Sequence, residues 1–265
     1  MTQGELNKYY FDKLNRSCTL LAKATYLAKA LYDENNEIKK QQEDLKGKET
    51  NIETAKTGNK SIAISLTMNW IDSTKHDALM MSLLLIQYSF LEAIVNSIGL
   101  CTIKINEEKD VLSVGEKEFL LERRELFQDG KNRTVSSFRR LEEKLERYPE
   151  LFAKLNQVDF KLDKSKYWDL FKATKKIRDN ISHPNVEVPV GITFNDLLST
   201  AKVVYWYNEV IFDLFKQCIG IDYEYARYES YTFHILLYLN KILHVDKINE
   251  IQDEKNRHET LLKSL

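Results

Sequence analysis

The sequence Lys175-Lys176-Ile177-Arg178-Asp179-Asn180-Ile181-Ser182-His183-Pro184 decides how the rest of the chain is read. It closes a stretch whose apolar residues recur at helical spacing. With Tyr167 as the origin and an advance of about 100° per residue, Leu170, Phe171, Thr174, Ile177 and Ile181 fall on one side. That is the stripe a helix turns toward a core. Arg178 falls inside the stripe, beside Phe171 and Thr174. A guanidinium does not give up its charge, so an arginine aimed at a core or an interface needs a partner. Pro184 disfavours the α conformation at His183. The helix is therefore predicted to end near Ser182, leaving the His183 ring free to swing back toward the last turn.

Working outward, the composition supports long helices. The chain has 265 residues, 43% hydrophobic and 30% charged, with only 8 Gly and 3 Pro to break it. The formal net charge is -1 and the pI about 6.6, so any nucleic-acid site must be a local patch. Cys18, Cys101 and Cys218 are odd in number and lack metal or redox spacing, which suits reduced thiols in a cytoplasmic protein. The polar N-terminus has no signal-peptide core. The run Ala78 to Leu100 is interrupted by Ser82, Gln87, Ser89, Glu92 and Asn96. It is expected to be a buried helix rather than a membrane span.

Along the chain, residues 5–46 suit one long helix or two broken near Asp33-Glu34-Asn35. Residues 36–56 are densely charged, an exposed helix or a connector. A central helix over 75–98 places Glu92 on its polar side, and Arg178 is a candidate partner for that carboxylate. Residues 101–113 alternate briefly and suit a short strand or an irregular loop. Helices are expected over 115–127 and 134–156, separated by Asp129-Gly130-Lys131-Asn132. The second would carry a seam of Phe138, Leu141, Leu145, Tyr148 and Phe152. After the helix over 164–182, a loop spans 185–192. A helix then starts at Thr193-Phe194-Asn195-Asp196, runs to Gln217 and is stopped by Gly220. The aromatic run Tyr223 to Phe233 is expected to pack against the N-terminal helices, with base stacking as the alternative, and 249–265 to form a charged surface helix. This order is all-α: a four-helix core within 61–220, an N-terminal helical extension over 1–60 and a C-terminal one over 221–265.

Arg178-Asp179-x-x-x-His183 resembles the R-x4-H motif of HEPN domains, small helical domains in which a polar residue, here Asp179, commonly follows the arginine. The run Tyr167-Trp168-x-Leu170-Phe171 resembles the helix that carries that motif. The resemblance implies a four-helix HEPN-like bundle acting as a metal-independent endoribonuclease that leaves a 2′,3′-cyclic phosphate. It implies a homodimer in which two motifs share one cleft. Many such proteins are toxins or phage-defence effectors, which brings in RNA as substrate and an antitoxin or regulatory protein as a further partner.

Elementary chemistry assigns the roles. Cutting RNA by attack of its own 2′-hydroxyl needs a group that titrates near neutrality, which His183 supplies. It also needs a cation for the phosphoryl oxygens, which Arg178 supplies through charge-assisted bonds. Asp179 or Asn180 would orient the imidazole or the hydroxyl, Glu92 would support Arg178, and Lys175 and Lys176 would bind flanking phosphates. No metal or cofactor is expected, because His76, His234, His244 and His258 follow no ligand spacing and no Gly-rich phosphate loop is present. The alternative is a non-catalytic helical dimerisation or interaction module in which Arg178 is a buried partner and His183 a helix-end residue.

Overall fold

A computed structural model of the chain describes residues 3–46, 60–128, 131–183, 191–220 and 225–243. Among the described residues the fold is all-α apart from one pair of strands. Its elements are α1 (Gln3–Lys46), α2 (Lys60–Lys109), α3 (Val114–Leu121), β1 (Arg123–Gln128), β2 (Lys131–Ser136), α4 (Leu141–Leu155), α5 (Trp168–Ser182), α6 (Phe194–Ile219) and α7 (Tyr225–Leu243). The segments 47–59, 184–190 and 244–265, on which the connector, loop and tail expectations largely fall, lie outside the described residues.

Helix α2 is the hub, packing against α1, α3, α4, α5 and α6. Phe90, Leu91, Ile94, Val95 and Ile98 are buried along it, so it is apolar nearly all round, as a central helix should be. By length and composition alone, Lys75–Lys109 would also suffice to cross a bilayer, and half of its most apolar window is buried among the other helices.

Helix α1 runs unbroken through Asp33-Glu34-Asn35. Its buried residues Tyr10, Leu14, Cys18, Leu21, Ala24, Ala28 and Leu31 are spaced three or four apart, the seam spacing of packed long helices. Glu34 does not interrupt it because Lys75 of α2 meets its carboxylate at 3.1 Å and His76 at 3.4 Å. The seam packs on α2 and α7 and belongs to the same buried cluster as the rest of the bundle. Across the α1–α7 contact, the Tyr228 hydroxyl donates to the Leu14 carbonyl and lies 2.9 Å from Ser17 Oγ.

Three segments depart from expectation. Residues 101–109 continue α2, because Ile98, Cys101, Thr102 and Ile105 extend its buried stripe at helical spacing. The helix stops where Asn106 Oδ1 accepts from the backbone N–H of Val111 (3.0 Å) and Leu112 (2.9 Å). The expected helix over 115–127 is only α3, opened by a Ser113–Glu116 capping box and closed by Glu122 in the left-handed region at φ 51°. Residues 123–128 and 131–136 pair as antiparallel strands, with Arg123 opposite Ser136 and Arg124 opposite Val135. Helix α4 therefore starts at Leu141, not 134, and Arg140 takes the N-cap position. Leu141, Leu145, Tyr148 and Phe152 form its seam as expected, but Phe138 lies before the helix and is 88% exposed.

The helix boundaries nearest the motif follow their local signals. α5 ends at Ser182. α6 opens on a Thr193–Asp196 capping box and ends at Gly220, whose φ of 68° suits a residue without a side chain.

Candidate functional site

Helix α5 is fixed by its first half. Trp168, Phe171 and Thr174 are buried, while Leu170, Ile177 and Ile181 pack at the edge of the core. Tyr88 of α2 reaches across to hold this helix. Its hydroxyl donates to the Phe171 carbonyl at 3.1 Å and lies 2.7 Å from Thr174 Oγ1. Burial pushes the Tyr88 phenol well above the usual tyrosine value; the Thr174 hydrogen bond and the Arg178 charge pull the other way but do not prevail. The ring stays neutral and presents a π-face.

Arg178 sits over that face, its guanidinium carbon 5.3 Å from the ring centroid. Its Nη2 donates to Glu92 Oε1 at 2.6 Å, and its Nη1 lies 3.1 Å from Asp179 Oδ1. The side chain is 18% exposed and that of Glu92 48%, so the pair stands at the rim of the bundle. Arg178 Nε is buried with no hydrogen-bond partner among the described residues.

Lys175, one turn earlier, meets Asp179 Oδ2 at 2.7 Å and Glu142 Oε1 of α4 at 3.3 Å. Burial works to lower its pKa, yet the Asp179 hydrogen bond and the Glu142 charge outweigh it and hold the ammonium above its usual value. Lys175 is thus committed to the protein, and Lys176 is exposed with no ion pair among the described residues. The chain of ion pairs links α2, α4 and α5 through Glu92, Arg178, Asp179, Lys175 and Glu142. Two cations there meet three carboxylates, so the cluster is not a basic patch.

His183 is the C-cap of α5, with φ -132° and ψ 71°, and its backbone N–H donates to the Asp179 carbonyl at 2.9 Å. It is exposed. No hydrogen bond joins its ring to Asp179 or Asn180 among the described residues; the Asp179 carboxylate turns instead to Arg178 and Lys175. Asn180 is half-buried on the last turn. The geometry brings Arg178, Glu92, Asp179 and Lys175 together, and sets His183 one turn on at an open helix end.

Two contributors escape a reading by helical periodicity. Tyr88 lies on the buried side of α2 and looks like ordinary core, and Glu142 sits in the mixed-charge run of α4. Their contacts with α5 are tertiary, and no spacing within one helix encodes them.

Comparison of the chain with family models, with curated proteins and with solved structures returns no match.

Proposed function

We propose that the chain is a metal-independent endoribonuclease of the HEPN kind, working as a homodimer in toxin or phage-defence action under the control of a regulatory protein. One observation carries this reading. The Glu92 carboxylate and the Tyr88 ring hold the motif arginine at the rim of the bundle, at the end of α5 where the His183 imidazole is open to solvent. A fixed cation and an exposed imidazole carried on the same end of one helix suit a phosphodiester.

In the proposed reaction, His183 takes the proton of the substrate 2′-hydroxyl, and that oxygen attacks the adjacent phosphorus. The bond to the 5′-oxygen breaks and that oxygen picks up a proton. The products are a 2′,3′-cyclic phosphate and a free 5′-hydroxyl. Arg178 exchanges a carboxylate for the phosphoryl oxygens as charge builds there. Metal-free cleavage of single-stranded RNA in EDTA, with cyclic-phosphate ends, tests the proposal. His183→Ala should abolish it without unfolding the chain, since His183 is exposed. Cleavage that persists in both His183→Ala and Arg178→Ala removes the proposal.

A second reading is a non-catalytic helical interaction module. It is favoured by the pairing of Arg178, which already answers to two carboxylates. It expects no cleavage of any RNA, and a loss of thermal stability on Arg178→Ala that His183→Ala does not share.

A further inference from the structure

We propose that the β1–β2 hairpin is an RNA-binding arm that grips the phosphodiester backbone through its arginines. Five of the chain's ten arginines, Arg123, Arg124, Arg133, Arg139 and Arg140, fall in the arm and the link to α4. With Lys131 they stand against only Glu125 and Asp129 over residues 123–140, a net of +4 in a chain of net charge -1.

The geometry turns this charge outward. The register sets Arg124 opposite Val135. Alternation then puts Arg124, Arg133 and Val135 on one face, with Arg123, Thr134 and Ser136 on the other. All six are exposed. Neither face is covered by the bundle at these positions, so these side chains add nothing to the core, and a two-stranded ribbon alone is marginal. Arg123, Arg124, Arg133 and Arg140 make no ion pair among the described residues, whereas Lys144, Arg147, Lys154, Lys175 and Arg178 are all paired. Arg140 also occupies the N-cap of α4, where a cation opposes the helix dipole. Folding does not explain this placement.

The chemistry selects the occupant. Guanidinium forks match phosphate oxygens bidentately and also stack on bases. Phe138, 88% exposed between the ribbon and Arg139-Arg140, offers a face for base stacking. A slender ribbon with arginines on both faces suits a flexible polyanion that can pass along either side. The arm supplies the positive patch that the α5 cluster lacks. Naming RNA as the polyanion rests on the nuclease reading; the charge and exposure of the arm do not.

The test is fluorescence anisotropy of a labelled single-stranded RNA with the full chain in the His183→Ala background, titrated at several salt concentrations. Arg124→Gln/Arg133→Gln should weaken binding at least about tenfold. It should also flatten the dependence of log affinity on log salt by about 1.4, at roughly 0.7 per phosphate contact on a single strand. Arg124→Lys/Arg133→Lys should keep the slope and lose less affinity. Thermal midpoints should match the parent, because the replaced side chains are exposed and make no ion pair among the described residues. An unchanged affinity in the glutamine variant overturns the arm. So does tighter binding to DNA of the same sequence, or arginine-dependent binding to phosphatidylserine vesicles without arginine-dependent binding to RNA. RNA binding through the arm by a chain that cleaves nothing supports the arm and removes the nuclease. Cleavage with arm-independent binding does the reverse.

Discussion

The hydroxyl of Tyr207 on α6 donates a hydrogen bond to the backbone carbonyl of Leu145 on α4, at 3.1 Å in the buried core. That carbonyl lacks its helical partner because residue 149, four positions on, is a proline inside the helix. Tyr207 thus satisfies an acceptor that Pro149 leaves open, and buried acceptors are costly to leave unpaired. Tyr207→Phe is expected to lower stability by about 1–3 kcal/mol. Pro149→Ala restores the missing N–H, so the cost of Tyr207→Phe should shrink in that background. A urea-unfolding double-mutant cycle measures the difference; equal costs in both backgrounds would refute the link.

Gly99 of α2 is needed for close approach rather than for an unusual backbone. A Cβ there would stand 2.6 Å from Cε2 and 2.7 Å from Cδ2 of Tyr148. Tyr148 is 2% exposed and packs edge-on against Phe119, so its ring has little room to yield. Gly99→Ala is expected to cost about 1–3 kcal/mol through overpacking, although alanine is the better helix former. Gly115 of α3 is the control, with nothing within 4 Å of a built Cβ. Gly115→Ala should be neutral or stabilise by up to about 1 kcal/mol. Thermal melts of the two variants should move in opposite directions.

The Arg178–Glu92 pair joins α5 to α2 at the rim. Glu92 is nearly half exposed, so solvent and salt screen the pair, and its coupling energy is expected to be only about 0.5–1 kcal/mol. Arg178→Ala should cost more than that coupling, because it also removes the contact over Tyr88. Denaturant cycles at low and high salt check both points; a coupling that does not weaken with salt would contradict the rim placement.

Glu116 ties α3 to α4 through Lys154, whose Nζ lies 2.9 Å from both carboxylate oxygens. Burial works to raise its pKa, but the bonds from Lys154 and Ser113 outweigh it and hold the carboxyl below its ordinary 4.5. A depressed carboxylate contributes stability that is present above the ordinary value and lost as pH falls through the folded one. The melting point of the parent should therefore exceed that of Glu116→Gln at neutral pH, and the gap should close as pH falls below 4.5. A gap that widens on acidification would reverse the assigned sign.

What could be read in advance was local. The end of α5 at Ser182, the start of α6 at Thr193 and its stop at Gly220 rest on caps and breakers within a few residues of each boundary. Arg178's need for an acidic partner followed from its place in an apolar stripe, and Glu92 on the neighbouring helix meets it. The hairpin was harder. Asp129-Gly130 signals a hairpin only when its flanks are read at period two, and Phe119, Leu120, Arg123 and Phe127 also satisfy a helical period. The flanking strands pair with each other, and Arg123, Arg124, Arg133, Thr134, Val135 and Ser136 are all exposed, so no buried alternation betrays them at these positions. Phe138 was placed in a seam for the same reason: periodicity does not tell where a helix begins when its N-cap is an arginine.

The meeting of Tyr228 with Leu14 and Ser17 has a consequence for synthesis. The two partners lie 211 residues apart in the chain, and translation at about 5–20 residues per second separates their emergence by roughly 10–40 s. Through that interval the side of α1 that α7 will cover is open on the nascent polypeptide. Holdase chaperones should therefore engage the N-terminal helix on the ribosome, and release it once α7 has cleared the exit tunnel.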